Sequence, residues 1–396
     1  MIIGIIGDTH FGISKWHDDS LIQGRDAFAK ATQLSDAIIM TGDLFDNPRP
    51  SLTLVKQIVE ILSETAGAKK WKVKVNGGDK QNIPPIIIIH GNHERQSRDK
   101  VNPVEFLSHI GLVVNGDDKV ITLENADTGE KVAVHCMGDV PDERAKERIA
   151  ENGFRPVDKM PNIFMFHQSL REVMYMGNTQ WLSVKDLPKG YDLYVDGHIH
   201  NRKELPEHKL LIPGSTVITQ LEENETGDKG IYLFDTETRK LRFVPIAHRP
   251  FVYKKLKFNG EGIKEIEDKV LGEIDTVMSE KYAVAPIVRI VLEGKVKQGV
   301  NSNNLKFNFK YGRSDGAAVS VLNKLSSEDL ERKVEMIKEL REKKVPLREM
   351  GDRIISEKMG KDNGNVSPSE LSQLLHDIEE DPESVVKNLD EETSAE

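Results

Sequence analysis

Five apolar runs in the first half of the chain share one form: a short hydrophobic stretch, then an abrupt step to glycine, aspartate, asparagine or histidine. MIIGII (1–6) meets Gly7-Asp8, and DAIIMTGD (36–43) repeats the pattern. PPIIIIHGNH (84–93), NIFMFHQ (162–168) and YDLYVDGHIH (191–200) follow. Continuous apolar runs of this length, bounded by turn residues, predict strands buried on both faces. Between them lie segments with apolar residues three and four apart, SLTLVKQIVEILSE (51–64) and NPVEFLSHIG (102–111), which predict helices. Fully buried strands interleaved with helices predict an α/β fold with its sheet covered on both sides. In such folds sites gather at the carboxyl ends of strands, and here five ends deliver Asp, His and Asn to one rim.

The pattern changes along the chain. Residues 67–82 (GAKKWKVKVNGGDKQN) form a basic, glycine-containing insertion that reads as a protruding hairpin or loop. After Arg249-Pro250, KYAVAPIVRIVLEG (281–294) and NNLKFNFKYG (303–312) read as strands of a small α+β domain. From Ser326 the pattern is helical, with Leu330, Val334, Ile337 and Leu340 on one face and Pro346 ending the helix. A last helix opens at Ser367, with Pro368 at its first position and Glu370 completing a capping box. Three regions result: 1–249, 250–325 and 326–396.

Composition narrows the class. No stretch approaches the ~20 apolar residues of a membrane-spanning helix. The opening run lacks a basic flank and meets Asp8 at once, which argues against a signal peptide. A single cysteine, Cys136, cannot form an internal disulfide, and an intracellular, cytoplasmic protein is the expectation. The formal charge of −10 over 396 residues, taken whole, argues against nucleic-acid binding. Its distribution alters that reading: residues 379–396 carry −7, the other 378 residues −3, and residues 250–325 carry +4.

The polar strand ends supply the candidate chemistry: Asp8 and His10, Asp43, Asn92 and His93, His167, and His198 and His200. Carboxylate, imidazole and amide oxygen together suit manganese, iron or zinc, and one cysteine excludes a thiolate site. Residues two apart share a face of an extended segment, which turns Asp8 with His10, and His198 with His200, toward the same rim. One carboxylate between the halves, Asp43, can bridge two cations. Two metals about 4 Å apart can clamp a phosphate and activate water for in-line attack. A lone histidine after a strand is more often a satisfied core or loop residue; the five blocks in this order carry the signal. The other seven histidines (17, 90, 109, 135, 208, 248 and 376) keep the structural reading.

This set resembles the calcineurin-like metallophosphoesterases. Asp8-Thr-His10-Phe-Gly12, Gly42-Asp43-Leu-Phe-Asp46, Phe166-His167-Gln168-Ser-Leu-Arg171, Gly197-His198-Ile-His200 and Ile212-Pro213-Gly214-Ser215 resemble the Mre-eleven/SbcD branch, nuclease subunits of DNA double-strand-break repair, in its archaeal form. The resemblance covers residues 1 to about 250, and beyond that only the domain order matches. It implies a four-layer β-sandwich flanked by helices, with a DNA-binding capping domain (250–325) and a helical extension (326–396) ending in an acidic tail. It implies two Mn(II) ions per chain, one held by Asp8, His10, Asp43 and His200, the other by Asp43, Asn92, His167 and His198. His93 would serve the leaving oxygen as the catalytic acid. The implied activity is a 3′-to-5′ double-strand exonuclease and single-strand endonuclease.

Arg95, Arg98 and Lys100, just after the catalytic loop, are candidate phosphate contacts. No Gly-x-x-x-x-Gly-Lys-Ser/Thr loop occurs, so the chain has no P-loop ATPase of its own; the resemblance implies a Rad-fifty/SbcC-type ATPase acting in trans and docking on the C-terminal helices. The resemblance also implies a homodimer interface formed by the helices at 51–64 and 102–111. Two departures stand out. Asp46 stands where the archaeal and eukaryotic branch usually has a histidine tied to exonuclease work and the bacterial branch often has aspartate, and Glu94 follows Gly-Asn-His where the nuclease branch often has aspartate. The competing reading is a phosphatase or phosphodiesterase on small molecules or phosphoproteins. Against it, phosphoprotein phosphatases carry Asp-Arg-Gly where this chain has Asp46-Asn47-Pro48.

Overall fold

A computed structural model describes residues 1–76, 83–97, 100–174, 181–307 and 317–327. The chain runs β1 (Ile2–Ile6), α1 (His17–Leu34), β2 (Ala37–Met40), α2 (Leu52–Gly67), β3 (Val73–Asn76), β4 (Ile86–Ile88), α3 (Pro103–His109) and β5 (Val114–Asn115). It continues through β6 (Lys119–Asn125), β7 (Lys131–Met137), α4 (Ala145–Asn152), β8 (Asn162–Phe166), β9 (Leu193–Asp196), β10 (Lys203–Leu205), β11 (Leu210–Ile212), β12 (Gly230–Asp235) and β13 (Leu241–Pro245). Last come β14 (Phe251–Glu261), α5 (Ile263–Ser279), β15 (Ile287–Val296) and β16 (Ala318–Ser326).

Two sheets carry the large unit. One has the order β13-β12-β1-β2-β4-β5, the other β10-β11-β9-β8-β7-β6-β3. The site-bearing strands are parallel to their neighbours: β1 with β2, β2 with β4, and β8 with β9. Side-chain alternation then sorts the apolar runs into layers. Ile3, Ile5, Ile39 and Ile87 of the first sheet share one buried cluster with Val134, Ile163, Met165 and Val195 of the second. Their sequence neighbours Ile6, Ile38, Met40 and Ile88 face the other way and pack with Phe28 of α1 and Ile58 and Leu62 of α2. On the outer face of the second sheet Phe164 and Phe166 pack with Ala145 of α4 and with Tyr191. The result is helices, sheet, sheet and helix in four layers, an α/β fold in which five apolar strands are covered on both sides. Each buried aliphatic side chain contributes about 1.5–3 kcal/mol relative to exposure.

The helix boundaries follow local chemistry. Ser51 caps α2 by accepting from Leu54 N at 3.2 Å. Asn102 caps α3 by accepting from Glu105 N at 2.8 Å, with Pro103 inside the first turn.

Elsewhere the structure departs from the pattern. Residues 73–76 of the basic insertion are not a protruding hairpin: they pair antiparallel with β6 and form the edge of the second sheet. The alternation Val73-Lys-Val75-Asn allows this, because Val73 is buried and Val75 packs against the intersheet core. Residues 77–82 lie outside the described residues. The strand expected at 303–312 is not formed where it begins. Ser302–Asn304 is a short 3-10 turn whose Asn301 side chain accepts from Asn303 N at 2.9 Å. Residues 308–316 and the helical region from 328 lie outside the described residues.

The described chain divides into two compact units. One comprises Met1–Lys254 with Thr276–Arg289 and residues 317–320. The other comprises Lys255–Asp275 with residues 290–307 and 321–327. No helix among the described residues is long and apolar enough to cross a membrane.

Candidate metal centre

The carboxyl ends of β1, β2, β4, β8 and β9 each lead directly into a site residue. Backbone hydrogen bonds lock these loops to one another. Thr9 N and His10 N both donate to the Asp43 carbonyl, at 3.1 and 3.0 Å, and Phe11 N donates to Leu44 O at 2.8 Å. His93 N donates to Asp43 Oδ1 at 2.9 Å. Glu94, fully buried, accepts from Phe45 N at 2.7 Å and from Gly91 N at 2.8 Å, and so ties the second loop to the third. Burial pushes its carboxyl up to about 7.

The paired residues converge for a reason other than strand alternation. His10, Asp43 and His198 have left-handed backbones, with φ of 44°, 48° and 71°. They are three of only seven non-glycine residues of that kind among those described. Such conformations cost on the order of 1–3 kcal/mol each and persist where the surroundings over-determine them. The kinks, not a shared strand face, turn the side chains inward.

Asp8, His10, Asp43 and His200 present ligand atoms that all lie within 4.8 Å of one another. His10 Nε2 is 3.0 Å from His200 Nε2 and 3.8 Å from Asp43 Oδ2, and His200 Nε2 is 3.8 Å from Asp8 Oδ2. A second group adjoins it. Asn92 Oδ1 lies 3.1 Å from His167 Nε2 and 2.9 Å from His198 Nδ1, while His167 Nε2 lies 3.4 Å from Asp43 Oδ2. Asp43 therefore belongs to both groups.

Each imidazole has a polar group beside its outer nitrogen. His167 Nδ1 donates to the Thr41 carbonyl at 2.7 Å. His198 Nε2 meets Ser169 Oγ at 3.2 Å, and His200 Nδ1 meets Thr219 Oγ1 at 2.5 Å. His10 Nδ1 lies 3.1 Å from Asp46 Oδ1, a close ionic contact. Outer partners of this kind fix tautomer and ring orientation in metal sites. Glycines keep the rings close. A methyl group at Gly197 would overlap His167 Nδ1 and lie 2.5 Å from Thr41 O.

The electrostatics ask for positive charge at the centre. Asp8 Oδ2 and Asp43 Oδ2 are buried and have no hydrogen-bond partner among the described residues. An unsatisfied buried acceptor costs about 1–3 kcal/mol, more when charged. Burial raises the Asp8 carboxyl to about 6. Burial opposes charge on His167, yet Asp43 and Asp8 raise it well above the ordinary histidine value. Burial and the neighbouring His10 depress His200 well below that value, and burial lowers His198 to about 4. Two buried orphan oxygens facing imidazole nitrogens and an amide oxygen are a fitting donor set for hard or borderline divalent cations.

His93 sits at the rim. Its ring lies 4.7 Å from that of His10, and its Nδ1 donates to Asp46 O at 2.8 Å, which leaves Nε2 directed away from that contact. The three cationic candidates differ. Arg95 is tied to the buried Asp139 at 2.7 Å, Lys100 is exposed, and Arg98 lies outside the described residues. The six described histidines given a structural reading stay out of both groups, and His376 lies outside the described residues. His90 pairs with Asp117 at 2.8 Å, and His135 bonds Asn162 and Tyr191 in the core.

Sequence reasoning passed over Thr41, Ser169, Thr219, Glu225 and the bridging role of Glu94. Ser169, two residues after His167, and Thr41, two residues before Asp43, carried a positional signal. Thr219 and Glu225 lie far from their histidine in sequence, and only the fold brings them to it.

The family described as "Calcineurin-like phosphoesterase" matches residues 1–202. The chain is 28% identical over 316 residues to "DNA double-strand break repair protein Mre11" of Sulfolobus acidocaldarius, covering 74% of each chain. It is 29% identical over 314 residues to "Double-strand break repair protein MRE11" of Encephalitozoon cuniculi, covering 69% of this chain and 53% of that relative. A solved structure of a hypothetical protein from Thermus thermophilus aligns with 63% of this chain and 89% of its own, at 14% identity and a TM-score of 0.32.

Proposed function

We propose, for a chain that belongs to the calcineurin-like phosphoesterase family and to its Mre11 branch, that its substrate is DNA and that two manganese ions serve the reaction. It is a metal-dependent phosphodiesterase. The proposed activities are 3′-to-5′ exonuclease on duplex ends and endonuclease on single strands, in double-strand-break repair. The names of the relatives support the repair setting. The observation that carries the two-metal reading is the pair of donor groups sharing Asp43, whose buried Oδ2, like Asp8 Oδ2, has no hydrogen-bond partner among the described residues.

One cation would be held by Asp8, His10, Asp43 and His200, the other by Asp43, Asn92, His167 and His198. When bound, the pair supplies a hydroxide near neutral pH and neutralises charge on the phosphate oxygens. The protein's own groups do the rest. Asp46 O holds the Nδ1 proton of His93, so Nε2 can carry a proton to the leaving oxygen as general acid. Asp43 Oδ1 accepts from His93 N and so sets that ring's backbone relative to the donor groups. The buried strand ends beneath exclude water from all but the rim.

Residues 250–325, with their excess of lysine and arginine, are assigned to binding DNA. Residues 326–396 are assigned to docking an SMC-like ATPase of the Rad-fifty/SbcC type. Exposed Leu52 on α2, Phe106 on α3 and the adjacent Val101 and Ile110 support a homodimer through those helices. The test gives the purified protein manganese with end-labelled duplex DNA, a single-stranded circle and a generic phosphomonoester. Release of nucleotides or nicking of the circle, lost in His93→Ala and Asp8→Ala, is expected. Robust phosphomonoester turnover with untouched DNA overturns the assignment and favours a phosphatase.

A further inference from the structure

Behind His200 lies a chain of polar side chains that the mechanism above does not use. It starts in the loop after β11, where Ile212-Pro213-Gly214-Ser215 leads into Thr219. Thr219 Oγ1 is 2.5 Å from His200 Nδ1 and donates to Glu225 Oε1 at 2.8 Å. Glu225 is only 4% exposed. Its Oε1 also accepts from Gln220 N at 2.8 Å. Its Oε2 accepts from Thr219 N at 3.0 Å and from Lys229 Nζ at 3.1 Å. Lys229, itself 6% exposed, donates to Ser215 Oγ at 2.9 Å. Ser215 N in turn donates to the His200 carbonyl at 3.0 Å.

The directions of these bonds determine a tautomer. A carboxylate only accepts, and four donors already fill both oxygens of Glu225. The hydroxyl hydrogen of Thr219 is among those four. Its oxygen is then left to accept, and the group presented to it by His200 must be Nδ1–H. A neutral imidazole with its hydrogen on Nδ1 has its lone pair on Nε2. That atom faces His10 Nε2 and the orphan Asp8 Oδ2.

We propose that Thr219 and Glu225 are positioning residues, which hold His200 as the Nδ1–H tautomer with its Nε2 lone pair aimed at a cation shared with Asp8. Lys229 and Ser215 anchor Glu225 from the other side and tie the same network to the backbone of His200. The inference rests on the reading of His200 as a cation ligand. Replacing such an outer partner typically weakens metal affinity 10–100-fold. The loss falls on one ion of the two, because the Asn92, His167 and His198 group has its own outer partners.

The experiment titrates full-length protein, stripped with chelator, with manganese chloride, and counts free Mn(II) by its paramagnetic resonance signal. Wild type is expected to take up two ions. Thr219→Val, which removes the hydroxyl at nearly constant volume, is expected to weaken one ion by about 10–100-fold and to leave the other unchanged. Thr219→Ser restores both. Glu225→Gln, which puts a donor where an acceptor is needed, moves in the same direction as Thr219→Val. Circular dichroism establishes that each variant is folded, and Thr219→Ala decides the matter if Thr219→Val is not. Wild-type affinity for both ions in the folded hydroxyl-less variant, with one ion lost in His200→Ala, overturns the positioning role alone. Unchanged binding in His200→Ala overturns the ligand reading and the inference with it.

Discussion

Gly197→Ala inserts a single methyl at a close approach between the two sheets' site loops. The added carbon would overlap His167 Nδ1 and lie 2.5 Å from the Thr41 carbonyl, against about 3.4 Å for an ordinary contact. Thr41 follows β2 directly, with its own N–H bonded to Ile6 O at 3.2 Å, and cannot retreat cheaply. Gly197 N is held by Phe166 O at 3.0 Å. The His167 ring must therefore move by about 1 Å and give up its bond to Thr41. Overpacking of this kind costs ~1–3 kcal/mol, and loss of the buried bond belongs to the same range. For a domain of about 150–250 residues each kcal/mol lowers the melting temperature by roughly 2–4 °C, so the combined loss of about 2–6 kcal/mol gives a fall of roughly 4–24 °C. A misplacement of about 1 Å at a reacting centre costs on the order of 100-fold in rate. Calorimetric melting, manganese titration and nuclease rate together check this. Gly67→Ala is the control: at the last residue of α2 the added methyl meets nothing within 4 Å. That substitution is expected to be neutral or stabilising by about 0.5–1 kcal/mol. Gly197→Ala with wild-type melting and manganese affinity refutes the argument from close approach.

Glu94→Ala orphans two buried backbone N–H groups, at Phe45 and Gly91, each worth about 1–3 kcal/mol; urea denaturation should show a loss of several kcal/mol, and a loss under about 1 kcal/mol contradicts the bridging role. His90 gives a pH dependence. Burial alone would lower it, but the Asp117 carboxylate 2.8 Å away outweighs burial and raises it to about 9. A raised folded value makes its contribution complete below about 6.5 and lost as pH climbs through about 9, on the order of 3 kcal/mol in all. Stability measured between those limits should fall more in wild type than in His90→Asn, and parallel curves sink the assignment. Arg95→Ala is expected to cost about 1 kcal/mol, since the pair with Asp139 is partly solvated. DNA affinity of that variant should change less than about threefold, whereas Lys100→Ala, with no such pairing among the described residues, should reduce the salt slope of binding by about one; the reverse order contradicts the ion-pair reading of Arg95.

Much of this was legible in the apolar runs. A strand covered on both faces must be apolar throughout, so β1, β2, β4, β8 and β9 announce themselves, and the polar residues that follow each mark the rim. The caps of α2 and α3 were equally local. What escaped was whatever depends on distant partners. β3 is short and half polar, and becomes a strand only because β6 offers it an edge. The left-handed turns at His10 and Asp43 are held by a backbone ladder between two loops, which neither loop encodes alone. Thr219 and Glu225 reach His200 through the return of β11 and the loop after it. In the sequence Asp46 is a departure at one position, whereas in the fold it touches both His10 and His93.

The division of donors between the sheets has a mechanical consequence. Asp8, His10, Asp43 and Asn92 issue from strands of the six-stranded sheet, and His167, His198 and His200 from strands of the seven-stranded sheet. Cations bound there would act as rivets through the sandwich, at the edge where its apolar filling ends. Sliding or prying one sheet from the other would then require breaking coordination bonds as well as exposing the intersheet core. Free cation at about a thousand times its dissociation constant adds about 4 kcal/mol to folding. Ions serving hydrolysis would thus make the sandwich stiffest at its working rim, and chelation would soften the molecule from that edge inward.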